Sequence, residues 1–235
     1  MPTVGLIELC ERGLKAGLVG NYRVQVETKH DTDLWDENCG LWDDKKVSMF
    51  VSTLHFLCID TLDQLLVTAT KTQIVIIEPP LLPYLIKQWL AQILLEDIRV
   101  LSLAFLPLSV CTVVGAGKKH GLVGLELHGQ ACFVPVYEYR ELTPHIGMAS
   151  INEADVDDDE MPIETLSEKS IRQLTYDIRK SMQIINVDLL AADRAPPNTA
   201  FIGGHIIVEN STVRNVLSRK KYLNREQGVY DSLFA

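Results

Sequence analysis

Two adjacent glycines near the C-terminus could contact phosphate. Gly203 and Gly204 follow a short apolar run and precede an amphipathic segment. Paired glycines allow positive φ angles and close backbone approach, and the start of a following helix offers unused N–H groups. The pair therefore fits either a phosphate cradle or a structural turn at which the chain enters a helix, and such turns are the commoner of the two.

An acidic stretch over residues 152–164 could in principle hold a cation. The stretch has no apolar periodicity, and it lacks the glycine turn and the terminal glutamate of a calcium-binding loop. A solvated linker is the better interpretation. Its acidic side chains concentrate at Glu153, Asp155, Asp157, Asp158, Asp159 and Glu160.

Cysteine usage and net charge restrict the class of protein. The five cysteines form no CxxC pair and have no histidine at zinc-ligand spacing, so we expect reduced, mostly buried thiols and no metal site. The net charge of −9 argues against nucleic-acid binding, which requires a basic surface. The sequence has no basic leader and no apolar run long enough for a membrane span, which predicts a soluble protein of the reducing interior.

Two tryptophans lie in a polar, acidic stretch over residues 29–46. Trp35 and Trp42 could anchor a partner protein, because tryptophan in a polar setting is typical of binding hot spots. They could equally hold this loop onto the core of their own chain. Both interpretations stay open at the level of sequence.

The elements that must position these residues alternate along the chain. Short apolar or alternating runs predict strands, and apolar residues at helical spacing predict helices, which together indicate an α/β architecture. The predicted strands are 4–9, 22–28, 73–78, 100–105, 121–127 and 131–137, with a tight hairpin at 128–129; the predicted helices are 47–66, 84–97, 107–114 and 165–182.

Several segments resemble actin and the actin-related proteins. The opening "LIELCERGLKAGLVG" resembles the family's first strand-turn-strand unit, and "GLVGLELHGQACFVPVYE" resembles the second. Further along, "YDIRKSM" and "FIGGHIIVENST" resemble the family's Asp-Ile-Arg-Lys and Ile-Gly-Gly segments. The resemblance implies a reduced actin-like, ribonuclease-H-like fold, in which Gly203 and Gly204 form a structural turn before a packing helix and not a phosphate site.

Both phosphate-binding turns implied by the resemblance are degenerate. Where the family has Asp-x-Gly in the first turn, this chain has Glu8 and Cys10, followed by Glu11. In the second turn, gapless matching places Leu125 and Leu127 where the family has the aspartate and the glycine; a one-residue slip would offer Glu126 as the acidic residue but still no glycine. Added carboxylates repel phosphate and added side chains prevent close approach of the backbone, so the resemblance implies no nucleotide cofactor.

The hydrolytic residues of the family are missing as well. The glutamine that positions the attacking water aligns with Leu108, which cannot orient water. The glycine-rich nucleotide segment after Asp-Ile-Arg-Lys is absent. We therefore expect no catalytic residues, no metal and no enzyme activity.

The resemblance also implies a domain organisation. We expect residues 1–28, 67–120 and 198–235 to form a complete first lobe, with residues 29–66 as a shortened outer subdomain. We expect residues 121–197, including the acidic linker 152–164, to be the remnant of a truncated second lobe.

Within the family, residues 54–107 most resemble a divergent member at the pointed end of dynactin. The expected function is a non-catalytic, cytoplasmic, cytoskeleton-associated subunit that caps the pointed end of the actin-like filament and contacts its neighbours there, without polymerising itself. The alternative is a non-catalytic actin-related subunit of a chromatin-remodelling complex.

Overall fold

The fold is mixed α/β, as the sequence predicts. The computed structural model describes residues 2–31, 34, 39–128, 130–150, 189–191, 198–210, 213 and 215–224. Within these ranges, the strands form two sheets. The predicted acidic linker 152–164 and the predicted helix 165–182 lie outside the described residues.

The first sheet has six strands. β1, β2 and β3 form an antiparallel meander. β4 pairs with β1 in parallel, and β5 pairs with β4 in parallel. The order is β11-β5-β4-β1-β2-β3. The strands are β1 (Thr3–Cys10), β2 (Gly13–Leu18), β3 (Val26–Lys29), β4 (Thr72–Glu78), β5 (Ser102–Pro107) and β11 (Leu217–Ser218).

Helices cover both faces of the first sheet, which explains the continuous apolar runs in β1 and β4. In β4, Ile74 and Ile76 pack with the buried side chains of α1 and α2, whereas Val75 and Ile77 pack with those of α3 and α4. The helices are α1 (Asp44–Gln64), α2 (Tyr84–Gln92), α3 (Leu108–Gly115), α4 (Thr199–Glu209) and α5 (Arg219–Leu223).

The second sheet is built on a β-hairpin. β6 and β7 pair antiparallel, with Leu127 opposite Gln130, and form the predicted hairpin. β10 runs parallel to β6, and both β8 and β9 run antiparallel to β7. The strands are β6 (Gly121–Leu127), β7 (Gln130–Tyr137), β8 (Arg140–Glu141), β9 (Gly147–Ser150) and β10 (Leu189–Ala191).

The two sheets share a strand arrangement. The order β3-β2-β1-β4 in the first sheet matches β9-β7-β6-β10 in the second, with the same parallel and antiparallel neighbours. The β1–β2 hairpin and the β6–β7 hairpin therefore occupy equivalent places. Their turns are the positions at which the sequence predicts degenerate phosphate loops.

Several boundaries differ from those predicted. The strand predicted over residues 22–28 is shorter in the structure, where β3 covers only Val26–Lys29. Tyr22 adopts a left-handed conformation (φ 51°), which interrupts an extended strand. α1 begins earlier than predicted, since the Asp43 carboxylate accepts a hydrogen bond from the Lys46 amide at 2.7 Å and caps the helix. The predicted helix over 84–97 ends as an α-helix at Gln92 and continues as a π-helical turn, Ile93–Asp97.

The predicted outer subdomain over residues 29–66 packs against the first sheet through its described helix. It contains α1, whose buried side chains Phe50, Leu54 and Leu57 belong to the same core cluster as Ile7 of β1.

Across the part of the chain with a defined placement, no helix combines the length and the apolar character needed to cross a bilayer.

Candidate functional site

The turn of the first hairpin is tight and requires a glycine. Cys10 pairs with Gly13, so Glu11 and Arg12 form the turn between β1 and β2. Gly13 has a φ of 150°, and a Cβ at this position would lie 1.9 Å from the carbonyl oxygen of Thr28. The backbone of β3 therefore approaches this turn too closely for any other residue.

Glu8 is a buried carboxyl group in β1, and only 8% of the residue is exposed. Its Oε1 lies 3.8 Å from Nζ of Lys15, the residue directly opposite on β2, whereas its Oε2 is buried without a hydrogen-bond partner. Burial raises the pKa of Glu8, and Lys15 offsets this only in part. Folding therefore shifts the Glu8 equilibrium toward the protonated form relative to the unfolded chain.

Cys10 shares this environment. Its Sγ lies 3.9 Å from Oε1 of Glu8, and burial beside that carboxyl raises the pKa of Cys10 to about 12. The thiol is therefore protonated at neutral pH and is a poor nucleophile.

We expect Glu8→Gln to stabilise the protein at neutral pH by about 1 kcal/mol, because it removes an incompletely partnered buried charge. The folded-state pKa of Glu8 lies above its unfolded value, so the wild-type carboxyl contributes stability at low pH and loses it as the pH rises through the folded-state pKa. The gain of the variant should therefore shrink on acidification.

Chemical denaturation of Glu8→Gln and wild type, at about pH 7.5 and about pH 5, measures this difference. Glu27→Gln, at a solvent-exposed site on β3, is the matched control and should change stability by less than about 0.5 kcal/mol. A Glu8→Gln protein that is less stable than wild type at both pH values would contradict the expectation.

In the second hairpin, the residues predicted to replace the phosphate-binding side chains belong to the core. Leu127 is buried with Cys132 and Val134, and Leu125 packs against the same cluster. Both leucines alternate with Glu126 along β6, so they share one face of the strand. They support the sheet and offer no group that could bind a ligand.

The two hairpin turns meet through Glu11. Its Oε1 accepts a hydrogen bond of 2.6 Å from the backbone N–H of His128, in the turn between β6 and β7. Nδ1 of His128 lies 3.8 Å from the same oxygen. A backbone N–H directed into the gap between two turns is a donor that suits a phosphate oxygen, and here a carboxylate of the chain accepts from it.

Glu11→Ala should destabilise the protein by about 1.5 kcal/mol, since it removes the charged acceptor of the His128 amide. Glu11→Gln keeps an oxygen acceptor and should lose roughly half as much. Hydrogen exchange at the His128 amide, followed by NMR, should be faster in the alanine variant than in the glutamine variant. Equal protection in wild type and both variants would show that the contact is not formed in solution.

The structure corrects the expectation for Gly203 and Gly204. They lie inside α4 and form no turn. Backbone N–H groups of α4 donate hydrogen bonds within the helix from Ile202 onward; the Ile202 N–H donates to the Asn198 carbonyl at 2.9 Å. The two glycines therefore offer no unused N–H groups to phosphate. A Cβ at Gly203 would lie 1.8 Å from the carbonyl oxygen of Cys111, so this glycine allows α3 and α4 to pack backbone against backbone.

Trp42 packs onto its own chain. Its ring stacks on Trp89 of α2 with centroids 6.3 Å apart, and Phe50 of α1 lies edge-on to it at 5.1 Å. Nζ of Lys46 lies 4.4 Å above the Trp42 ring. This arrangement favours the core-anchoring interpretation for Trp42, while Trp35 lies outside the described residues.

A cleft of about 970 Å³, which sequence reasoning missed, opens at the carboxyl ends of β4 and β5. At its wall, Glu78 pairs with Lys87 at 2.7 Å, and Glu141 accepts a hydrogen bond from Ser109. Burial raises the pKa of both carboxyl groups. A signal for Glu78 existed in the sequence, since it is the charged residue that ends the apolar run "QIVII".

Neither metal binding nor thiol chemistry is supported by the described part of the chain. Within it, no three His, Cys, Asp or Glu side chains come together in a way that could hold a metal ion. Burial raises the pKa of Cys58 to about 12 and that of Cys111 still higher. These thiols are structural.

Comparison with models of known protein families finds no match for this chain, and comparison with curated protein sequences finds none either. The interpretation of function therefore depends on the geometry of the two turns and on the sequence segments that form them.

Proposed function

We propose that this protein is a non-catalytic actin-like subunit that caps and organises the pointed end of the dynactin filament in dynein-based transport. The observation that carries the proposal is the hydrogen bond between the Glu11 carboxylate and the His128 amide. It joins the turns of two equivalent hairpins at the place where an actin-like protein would bind phosphate.

The strand arrangement supports the actin-like part of the proposal. The two segments that resemble the family's strand-turn-strand units form β1–β2 and β6–β7, which hold equivalent positions in two sheets of matching order. A nucleotide between two such sheets would be held by both turns. In this chain the equivalent space contains the Glu11 side chain.

The residues around the turns support a non-catalytic role without a nucleotide cofactor. Leu125 and Leu127 pack in the core of the second sheet. Leu108, aligned with the water-positioning glutamine of actin, begins α3 and packs against the core of the first sheet. None of the three can accept or donate a proton. The negative charge of Glu11 would also repel a phosphate that approached the same amide.

Membership of dynactin, and with it a cytoplasmic, cytoskeleton-associated location, follows from the resemblance of residues 54–107 to the pointed-end subunit. Capture of the tagged full chain from cells, with identification of the co-purified proteins, tests this part. The proposal expects the dynactin subunits. Recovery of a chromatin-remodelling ATPase in their place would favour the alternative function, and recovery of neither would refute both.

The non-catalytic part has a separate test. Calorimetric titration of the purified chain with magnesium ATP should give no binding heat, and the protein should remain in the supernatant under polymerising salt conditions. An affinity for ATP in the micromolar range, or sedimenting filaments of the protein alone, would contradict the proposal even if the chain co-purified with dynactin.

A further inference from the structure

α1, the longest helix in the described part of the chain, has an apolar ridge that the described residues leave exposed. The buried side of α1 carries Phe50, Leu54, Leu57, Cys58, Thr61 and Leu62 and packs on the first sheet. On the opposite side, Met49 and Phe56 are each 66% exposed, and Ile59 is 38% exposed. These three residues follow i, i+7 and i+10 spacing, so their side chains lie on one side of α1. Together they form a ridge along the helix.

Charged residues at the two ends of this ridge oppose the dipole of their own helix. Lys45 lies in the first turn of α1, where the helix terminus is partly positive, and Asp63 lies in the last turn, where it is partly negative. Each placement is unfavourable within a single helix, while the capping Asp43 and Asp44 at the same N-terminal end suit the dipole. An antiparallel helix on the ridge would reverse this, because it would bring opposite charges and an opposite dipole to both ends.

The ridge is complementary to itself. Positions equidistant from residue 54 correspond as follows: Met49 to Ile59, Lys45 to Asp63, and Ser52 to Phe56. The exposed leucines that flank the helix, Leu41 and Leu66, lie almost equally far from the same centre. A two-fold axis through this centre would therefore place Met49 against Ile59 and Lys45 against Asp63, while Phe56 would face Ser52.

We infer that the exposed ridge of α1, formed by Lys45, Met49, Ser52, Phe56, Ile59 and Asp63, binds a second copy of this chain in an antiparallel helix pair. Because Phe56 lies two residues from the centre, the two Phe56 side chains would be offset by about 6 Å along the helix axis, within the range of aromatic contact. The contact is isologous, so it closes after two copies and produces no filament.

A single helix pair forms a small interface. Helices of this length bury less surface than the ~1,200 Å² typical of stable complexes, so we expect a dissociation constant on the order of 10 µM. Sedimentation velocity of the purified full chain, from about 1 to about 200 µM, should therefore show a reversible shift from monomer to dimer. A monomer at every concentration would overturn the inference.

Charge reversal tests the register. Lys45→Glu alone and Asp63→Lys alone each place like charges opposite one another at two sites of the dimer and should weaken dimerisation at least about tenfold. The double variant should restore it to near the wild-type value. Residues 45 and 63 are about 27 Å apart along one helix, so they cannot rescue each other within a monomer. Single variants without rescue would refute the antiparallel register.

Phe56→Ser tests the centre of the ridge. It should weaken dimerisation at least about tenfold while leaving the melting temperature of the monomer unchanged at about 1 µM protein, because the side chain is exposed. An undiminished dimer would place the contact elsewhere. A monomer that melts several degrees earlier would show that a segment of the same chain covers the ridge, and this would overturn the inference as well.

Discussion

Gly203→Ala should lower the free energy of unfolding by about 3 kcal/mol, the largest single effect that we expect. The added Cβ would lie 1.8 Å from the carbonyl oxygen of Cys111 and 2.7 Å from the amide nitrogen of Gly115. Both are backbone atoms of α3, so α3 and α4 must separate and lose contact along their whole interface. Chemical denaturation of the purified variant measures the loss.

The neighbouring glycine supplies the matched control. A Cβ at Gly204 would meet the side-chain ends of Ile77 at 2.7 Å and Leu6 at 3.0 Å, which can rotate away. Alanine also has a higher helix propensity than glycine by up to about 1 kcal/mol. Gly204→Ala should therefore change stability by less than about 1 kcal/mol, and equal losses for both variants would contradict the proposed helix contact.

Trp42→Ala should destabilise the isolated protein by about 2 kcal/mol. The ring contacts Trp89, Phe50 and the Lys46 ammonium group, but it is only partly buried, so the loss should be smaller than for a fully buried tryptophan. Leu41→Ala, at an exposed neighbouring position, should change the melting temperature little. Thermal unfolding followed by circular dichroism compares the two variants.

An unchanged melting temperature for Trp42→Ala, together with weaker capture of the dynactin subunits, would instead favour a partner contact. That outcome would contradict the core-anchoring interpretation of the stacked rings. A lower melting temperature with normal capture would leave Trp42 as a residue of the core.

The helices and strands were largely predictable from the sequence, because the spacing of apolar residues along each segment indicates its secondary structure. The run "QIVII" is apolar on both faces, and the structure buries Ile76 and Ile77 on opposite sides of β4. The β6–β7 hairpin was predictable because two apolar runs flank the dipeptide His-Gly in the sequence. The mixed α/β class is thereby confirmed.

The candidate site was less predictable, because it depends on contacts between distant residues. Glu11 and His128 are 117 positions apart, and nothing local to either residue indicates the other. Gly203 was expected at a turn because glycine disfavours helices, but close packing against the Cys111 carbonyl outweighs that preference inside α4. The charged wall of the cleft likewise forms only when β4 and the β7–β8 hairpin meet.

The contact between the two hairpin turns has a further consequence, because its donor and its acceptor belong to one covalent chain. A bound phosphate dissociates when its concentration falls, whereas the Glu11 carboxylate can be neither diluted nor consumed. If the chain binds no nucleotide, as proposed, depletion of cellular ATP would leave this junction unchanged. If the protein has the proposed role, no ATP hydrolysis in this subunit would mark the time since the filament end was assembled. Another subunit would then have to provide that signal.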